Sequence, residues 1–221
     1  MNAIPTTPAK KSPVRKLVMQ LVLGALTGAA VTFAVLSGLE GSGVDLGDSA
    51  RMGALLTGLI LAVIGLFVGL GIMAPKAGSR ILNVEDADEI REQRTQLGLG
   101  SLVMLLGGLG LMALAVAKVD GEPGLLSAQA ALIFTAICFV TTAALAYMSR
   151  YGSDELMRSL SAEAAVLTVY ALLVIAGVWA TLAHLGYADW ITPLGFLAGL
   201  TMIQLLAVFW VVGRRGLLGP R

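Results

Sequence analysis

The side chains best suited to chemistry lie in two short polar segments, residues 83–95 and 153–163. Each segment carries an adjacent carboxylate pair together with arginines: Asp88, Glu89, Arg91 and Arg94 in the first, and Asp154, Glu155 and Arg158 in the second. Neighbouring residues point to different sides of a helix, so these pairs are poorly placed to act together as acid and base. A solvated helix face is the simplest interpretation. The sharper hypothesis is a docking surface, because charge complementarity gives such surfaces partner choice and fast association.

Other reactive groups are scarce in the 221 residues. His184 is the only histidine and Cys138 the only cysteine, so neither has a second ligand with which to complete a zinc or haem site. No Walker loop, G-x-S-x-G elbow, H-E-x-x-H or C-x-x-C motif occurs. We therefore predict no enzyme activity, no metal and no cofactor, and we interpret Cys138 as a packing residue.

Six long apolar stretches must position the polar segments. They cover residues 17–38, 52–73, 97–117, 127–148, 164–183 and 191–212. Each has about the ~20 residues with which an α-helix crosses ~30 Å of hydrocarbon. Only 13% of the chain is charged, roughly half the share of a soluble domain. We predict an all-α polytopic bundle of six transmembrane helices at residues 17–213, between basic tails at residues 1–16 and 214–221.

The distribution of basic residues predicts the orientation of the bundle. Thirteen of the 15 basic residues flank one predicted side of the membrane: Lys10, Lys11, Arg15, Lys16, Lys76, Arg80, Arg91, Arg94, Arg150, Arg158, Arg214, Arg215 and Arg221. Only Arg51 and Lys118 lie on the other side. The positive-inside rule then places both termini and both polar segments in the cytoplasm.

The two polar segments resemble each other, which suggests an internal repeat. Superposing Asp88 on Asp154 brings the third apolar stretch over the fifth, at a spacing of 66 residues. Asn83 or Ser153 would cap a short helix whose first turn carries acidic residues. We predict that each segment is a short cytoplasmic helix lying in the membrane interface.

Small residues recur at helical spacing within three of the apolar stretches. The pairs are Gly24 with Gly28, Gly65 with Gly69, and Gly195 with Gly199. A G-x-x-x-G face lets two helix backbones approach closely and gain van der Waals contact. We predict packing within the bundle at these glycines, with a homodimer seam as the alternative.

The interiors of the apolar stretches carry no carboxylate, histidine or basic side chain, although proton-coupled transport and ion pumping usually need one at depth. Their polar residues are mild, chiefly threonines and the glutamines Gln20 and Gln204. Such residues can bond within their own helix or to a neighbouring helix, and they could also line a neutral path. Specificity is therefore expected at the cytoplasmic face.

A resemblance supports this expectation. The residues from Asp154 to Arg158, followed by Glu163 and Ala164 at the start of a span, resemble a motif of small uncharacterised bacterial membrane proteins. Those proteins carry D-E-x-x-R before a helix that enters the bilayer, and they are often encoded beside small helix-turn-helix regulators. Asp88 and Glu89 match the start of that motif, whereas Arg91 departs from its spacing. The resemblance implies that the chain holds such a regulator at the membrane.

The sequence thus favours a non-enzymatic protein of the bacterial inner membrane that docks a cytosolic partner and touches no nucleic acid itself. The alternative is a small transporter or exporter of an uncharged or lipid-like solute, for which six spans and a repeat are suitable. A third hypothesis is an accessory subunit whose apolar faces meet other membrane proteins.

Overall fold

The computed structural model describes residues 13–44, 47–81, 87–119, 121 and 123–217, and these form eight α-helices. In chain order they are α1 (Pro13–Glu40), α2 (Ser49–Met73), α3 (Pro75–Ile81), α4 (Ala87–Glu92), α5 (Arg94–Ala115), α6 (Ala128–Gly152), α7 (Glu155–His184) and α8 (Pro193–Arg214). The described residues contain no β-strand, and one backbone bridge joins Ala117 to Leu126. The predicted all-α class is confirmed.

Five of these helices, α2, α5, α6, α7 and α8, are long and apolar enough to cross a membrane. They contain 22 to 30 residues and coincide with the last five predicted spans. The first predicted span lies in α1, where the described apolar part, Gly24–Glu40, is shorter than a full span. Most side chains between Pro13 and Leu23, Gln20 among them, lie outside the described part of the chain. The fold is compatible with a helical membrane bundle.

Helix α2 lies at the centre of the bundle. It contacts α1, α5 and α8, while α6 packs on α5 and α7 packs on α8. Buried apolar residues form three clusters: Leu39, Val44, Ala54, Leu55, Ala115 and Ala198 where α1, α2, α5 and α8 meet; Leu61, Leu111 and Leu205 at mid-bundle; and Leu160, Ala164 and Val211 between α7 and α8. Helices α6 and α7 therefore bury little of their apolar surface within the chain.

One end of the bundle, which we call the charged end, comprises α3, α4, the α6–α7 connection and the end of α8. Helix α3 was not predicted. It begins at Pro75, a favoured first helical residue. It then folds back on α2, where Gly78 lies directly against the backbone of Gly71. A Cβ atom at residue 78 would not fit there.

The structure corrects the prediction of two separate interface helices. The first segment does contain a short helix, α4, whose Ile90 is completely buried. The second segment is instead the first part of α7, which runs unbroken from Glu155 into the long apolar helix. No proline or glycine interrupts it before Gly177, so nothing separates a short helix from the span. The proposed N-cap Asn83 lies outside the described residues, and Asp154 rather than Ser153 caps α7.

The opposite end carries short turns between α1 and α2, α5 and α6, and α7 and α8. Gly43, Gly121 and Gly186 have positive φ there, as their turns require. Arg51 is only 5% exposed, and its Nη1 donates to the Pro123 carbonyl at 3.2 Å. Arg51 therefore attaches α2 to the α5–α6 connection. From the sequence alone, it was notable only as one of the two basic residues on the side opposite the cytoplasm.

Candidate functional site

Residues that flank the two predicted polar segments are in contact at the charged end. Gln96, one turn into α5, directs its Nε2 at the Ser149 carbonyl of α6, 3.5 Å away. Gly152, the last residue of α6, also lies directly against the Gln96 side chain, where a Cβ atom would collide with Nε2. The start of α5 therefore lies beside the α6–α7 connection. Residues separated by more than 50 positions in sequence share one surface.

In the first segment, Asp88, Arg91 and Arg94 are exposed and Glu89 is half-buried. Arg91 Nη1 lies 2.6 Å from Asp88 Oδ1, an ion pair between residues three apart on α4. Gln93 Nε2 lies 3.4 Å from Glu89 Oε1, at the junction with α5. Since Ile90 is buried beneath these residues, α4 presents its charges outward from a fixed position.

In the second segment, Asp154, Glu155 and Arg158 are all exposed. Asp154 Oδ1 accepts from the Met157 backbone N–H at 2.7 Å, so this carboxylate closes the first turn of α7. Arg158 donates weakly to the Ser153 carbonyl at 3.4 Å. Asp154 therefore has a structural task, and Glu155 is the carboxylate of this pair that is available for an external contact.

A third charged group was not predicted as part of the site. Glu163 of α7 accepts from Arg214 and Arg215 at the end of α8, with Arg215 Nη2 2.7 Å from Oε2. Arg215 also donates to Ser159 Oγ at 3.1 Å. These contacts join residues more than 50 positions apart, and no spacing rule in the sequence could have identified them. Arg214 and Arg215 are the first two residues of the predicted C-terminal tail, so the start of that tail lies against α7.

The predicted glycine contacts are found mainly in α2. A Cβ atom on Gly65 would lie 2.7 Å from the Ser101 carbonyl of α5, and one on Gly69 would lie 2.9 Å from Ser101 Oγ. Ser101 Oγ donates to the Gly65 carbonyl at 2.7 Å, which adds a polar contact to the seam. Gly58 and Gly108 approach as closely, although no G-x-x-x-G pattern includes either of them.

The other predicted glycines pack less or not at all. Gly195 lies near its own cap Thr192 and 3.6 Å from Ala50 of α2. A Cβ atom at Gly24, Gly28 or Gly199 would have no neighbouring atom within 4 Å among the described residues. The described contacts of α1 with the bundle lie near its C-terminal end, around Leu39. The predicted packing role of Gly24, Gly28 and Gly199 stays a prediction.

A groove of about 370 Å³ opens between α6 and α8, with α2 and α5 as its floor. Its lining is mostly apolar and includes Leu111, Phe139 and Leu205. Thr142 and Gln204 add polar groups to the two walls. Thr142 Oγ1 is buried and has no hydrogen-bond partner within the described part of the chain. The bundle is therefore neither solid nor crossed by a polar channel at this point.

No group of three or more His, Cys, Asp and Glu residues within the described ranges is arranged to hold a metal ion. Cys138 is buried on α6. Comparisons with protein-family models, with curated proteins and with solved structures find no match for this chain. Among the described residues, we take the charged end and the groove as candidate sites, each on the basis of its own geometry.

Proposed function

We propose that this chain is a non-enzymatic protein of the bacterial inner membrane that docks a cytosolic partner at its charged end. The observation that carries the proposal is the contact of Gln96 with Ser149 and Gly152, which brings the start of α5 beside the α6–α7 connection and so supports placing both polar segments at the same end of the bundle. Two independently mobile loops would lose conformational entropy when a partner binds, whereas segments that the fold already holds in place lose less. A pre-organised surface of mixed charge is suited to recognition.

The proposed docking surface consists of the predicted residues that remain exposed: Asp88, Arg91, Arg94, Asp154, Glu155 and Arg158, with half-buried Glu89 at its edge. Both signs of charge occur, so the partner must present a complementary pattern rather than a uniformly basic or acidic face. The partner class implied by the resemblance is a small helix-turn-helix regulator. Its capture at the membrane would keep it from DNA, with no nucleic-acid contact by this chain.

The proposal includes an orientation. We infer six spans, α1 among them, with both termini and the charged end in the cytoplasm. Thirteen of the 15 basic residues then lie on the inner side, as the positive-inside rule requires. Cysteine-accessibility labelling in intact cells tests this directly. A cysteine replacing Glu155 should be protected from an impermeant maleimide, and one replacing exposed Tyr187 should react, each in a Cys138→Ser background.

Docking is tested in two steps. Affinity capture of the tagged chain from mildly solubilised host membranes first identifies a cytosolic candidate. The purified candidate is then titrated against reconstituted wild-type protein and against a variant with charge reversal at Asp88, Glu89 and Glu155 plus Asp154→Asn. The asparagine removes a charge but retains the cap of α7. We expect at least about tenfold weaker binding, since close charge pairs across an interface are strongly coupled.

The matched control is Asp189→Lys, which reverses an exposed carboxylate at the opposite end of the bundle. It should leave the affinity unchanged. Equal affinities for the wild type and the charge-reversed variant would refute docking at this surface, as would the absence of any cytosolic protein that binds the purified chain.

A second candidate function is supported by the groove between α6 and α8. Its volume and apolar lining suit a lipid-like solute, and Thr142 offers that solute one hydroxyl. Ala143→Trp should fill the groove and reduce labelling by a photoactivatable fatty acid severalfold. Ala165→Trp, at an exposed position of α7 that does not line the groove, is the control that should label like the wild type. Equal labelling of all three proteins would exclude the groove as the binding site.

A further inference from the structure

A polar pocket also opens at the charged end, and none of the acidic residues considered above lines it. It has a volume of about 340 Å³ and is lined by Tyr147, Arg150 and Tyr151 at the end of α6 and by Arg158 on the second turn of α7. That volume exceeds what ten water molecules occupy in the liquid, each with a share of ~30 Å³. The pocket can therefore hold a group considerably larger than a single ion.

The two arginines of this pocket have no acidic partner in the part of the chain that the structure describes. Within the described ranges, neither Arg150 nor Arg158 has a carboxylate oxygen within 4.0 Å, whereas Arg91, Arg214 and Arg215 all form ion pairs. The carboxylate of nearby Asp154 accepts from the Met157 N–H. Two guanidinium groups with unused donors on one concavity favour an anion, and their planar forks match the oxygens of a phosphate.

The two tyrosines add a directed donor. Their hydroxyl oxygens are 2.7 Å apart, and their rings meet edge to face with centroids 5.5 Å apart. One hydroxyl must donate to the other in this pair, and the accepting hydroxyl keeps its own proton for an external acceptor. The pocket thus offers two cations and a hydroxyl donor, and the described residues that line it include no carboxylate.

The surface of α6 next to the pocket indicates where the anion comes from. Ile137, Val140, Ala144, Tyr147 and Tyr151 recur at steps of three or four residues and form one exposed stripe. Val140 is 70% exposed and Ile137 61%. From Ile137 to Tyr147 the stripe is about 15 Å long at ~1.5 Å per residue, half of the ~30 Å hydrocarbon thickness. It therefore offers an apolar track about one leaflet deep that leads to the pocket.

We propose that Tyr147, Arg150, Tyr151 and Arg158 bind the phosphodiester headgroup of an anionic phospholipid whose acyl chain lies along this stripe. A free phosphate shares the headgroup chemistry but makes no use of the apolar stripe. Arg158 belongs to both proposed sites, whereas Tyr147, Arg150 and Tyr151 belong to the lipid site alone, so lipid binding can be tested without the protein partner.

The test is native mass spectrometry of the full chain released from nanodiscs that contain equal amounts of phosphatidylglycerol and phosphatidylcholine. Wild-type protein should retain phosphatidylglycerol preferentially. Arg150→Gln with Arg158→Gln should lower that retention about 30-fold, the factor for two arginine charges near an anionic surface. Tyr151→Phe should lower it severalfold, because the paired hydroxyl is lost while the ring remains.

The matched control is Arg214→Gln with Arg215→Gln, which removes the same charge from arginines already paired with Glu163. It should retain phosphatidylglycerol like the wild type. Equal losses in the two double variants would show general surface attraction and overturn the proposal. So would a wild type without preference between the two lipids, a result that does not depend on how any variant folds.

A final arm separates the two sources of phosphate. Isothermal titration of inorganic phosphate into protein in phosphatidylcholine nanodiscs should show no saturable binding up to about 10 mM, since the apolar stripe contributes nothing there. Submillimolar binding of phosphate that depends on Arg150 and Arg158 would replace the lipid by a soluble anion. None of these measurements involves the cytosolic partner, so their failure is distinguishable from failure of the docking proposal.

Discussion

Gly107 and Gly108 are neighbours on α5, but the structure predicts opposite consequences for replacing them by alanine. A Cβ on Gly107 would have no neighbouring atom within 4 Å. A Cβ on Gly108 would lie 2.7 Å from the backbone nitrogen of Ala62 on α2 and closer still to the Gly58 carbonyl. Ordinary contacts begin near 3.4 Å, so α2 and α5 would have to separate by about 0.7 Å or more.

The two substitutions should differ in their effect on the free energy of unfolding only by the cost of this steric collision at residue 108. Both replace glycine by alanine within one helix, so the gain in helix propensity, up to about 1 kcal/mol, is common to them and cancels. Overpacking a close contact costs typically about 1–3 kcal/mol. The free energy of unfolding should therefore be about 1–3 kcal/mol lower for Gly108→Ala than for Gly107→Ala, and the Gly107→Ala variant should be no less stable than the wild type.

The assay is equilibrium unfolding in mixed micelles of increasing SDS fraction, followed by circular dichroism. Exposed Gly100→Ala on the same helix is a second control, since its Cβ also meets no atom within 4 Å. If Gly108→Ala unfolds with the same free energy as Gly107→Ala, the close approach of α2 and α5 is not a property of the folded protein. The central position of α2 would then have to be abandoned.

Three further substitutions test individual contacts. Ser101→Ala removes the hydrogen bond to the Gly65 carbonyl and should lower the unfolding free energy by about 0.6 kcal/mol, the average for interhelical hydrogen bonds in a membrane protein, in the same SDS titration. Arg51→Met leaves the Pro123 carbonyl without its donor and should cost about 1–3 kcal/mol, whereas Lys118→Met, at the same end but exposed, should change stability by less than about 0.5 kcal/mol. Asp154→Ala should accelerate amide hydrogen exchange at Met157 several-fold through loss of a cap worth about 1 kcal/mol, and Asp154→Asn should not; equal exchange in the two variants would rule out the capping role.

The long helices were predictable because the length and hydrophobicity of a span can be read from one continuous stretch of sequence. Stretches of about 20 apolar residues must satisfy their backbone groups internally, which dictates helices wherever they occur. Five of the six predicted spans coincide with long apolar helices, and α7 differs chiefly in its start. The prediction of a separate interface helix was wrong there because nothing in residues 155–163 breaks a helix. A change in polarity does not by itself end a helix.

The tertiary contacts were less predictable because they depend on which helix faces meet. The motif of Gly65 and Gly69 marks the seam with α5, but at Gly24 and Gly28 the same pattern meets no other atom among the described residues. Spacing alone cannot separate these cases, since both put glycines on one face. The pairing of Glu163 with Arg215 and the pocket beside Arg150 are likewise products of the α6–α7–α8 arrangement rather than of any local motif.

The uneven packing of the bundle bears on how its charged end could respond to a ligand. Helices α2 and α5 meet at backbone distance along Gly58, Gly65 and Gly108, and the start of α5 is therefore fixed. Helix α7, by contrast, packs mainly on α8. Among the described residues, the contact of Gln96 with Ser149 joins the start of α5 to the end of α6, just before the α6–α7 connection. The pocket of Arg150 and Arg158 lies beside that same connection, so under the two proposals made above we expect lipid composition to alter how the two segments face a partner.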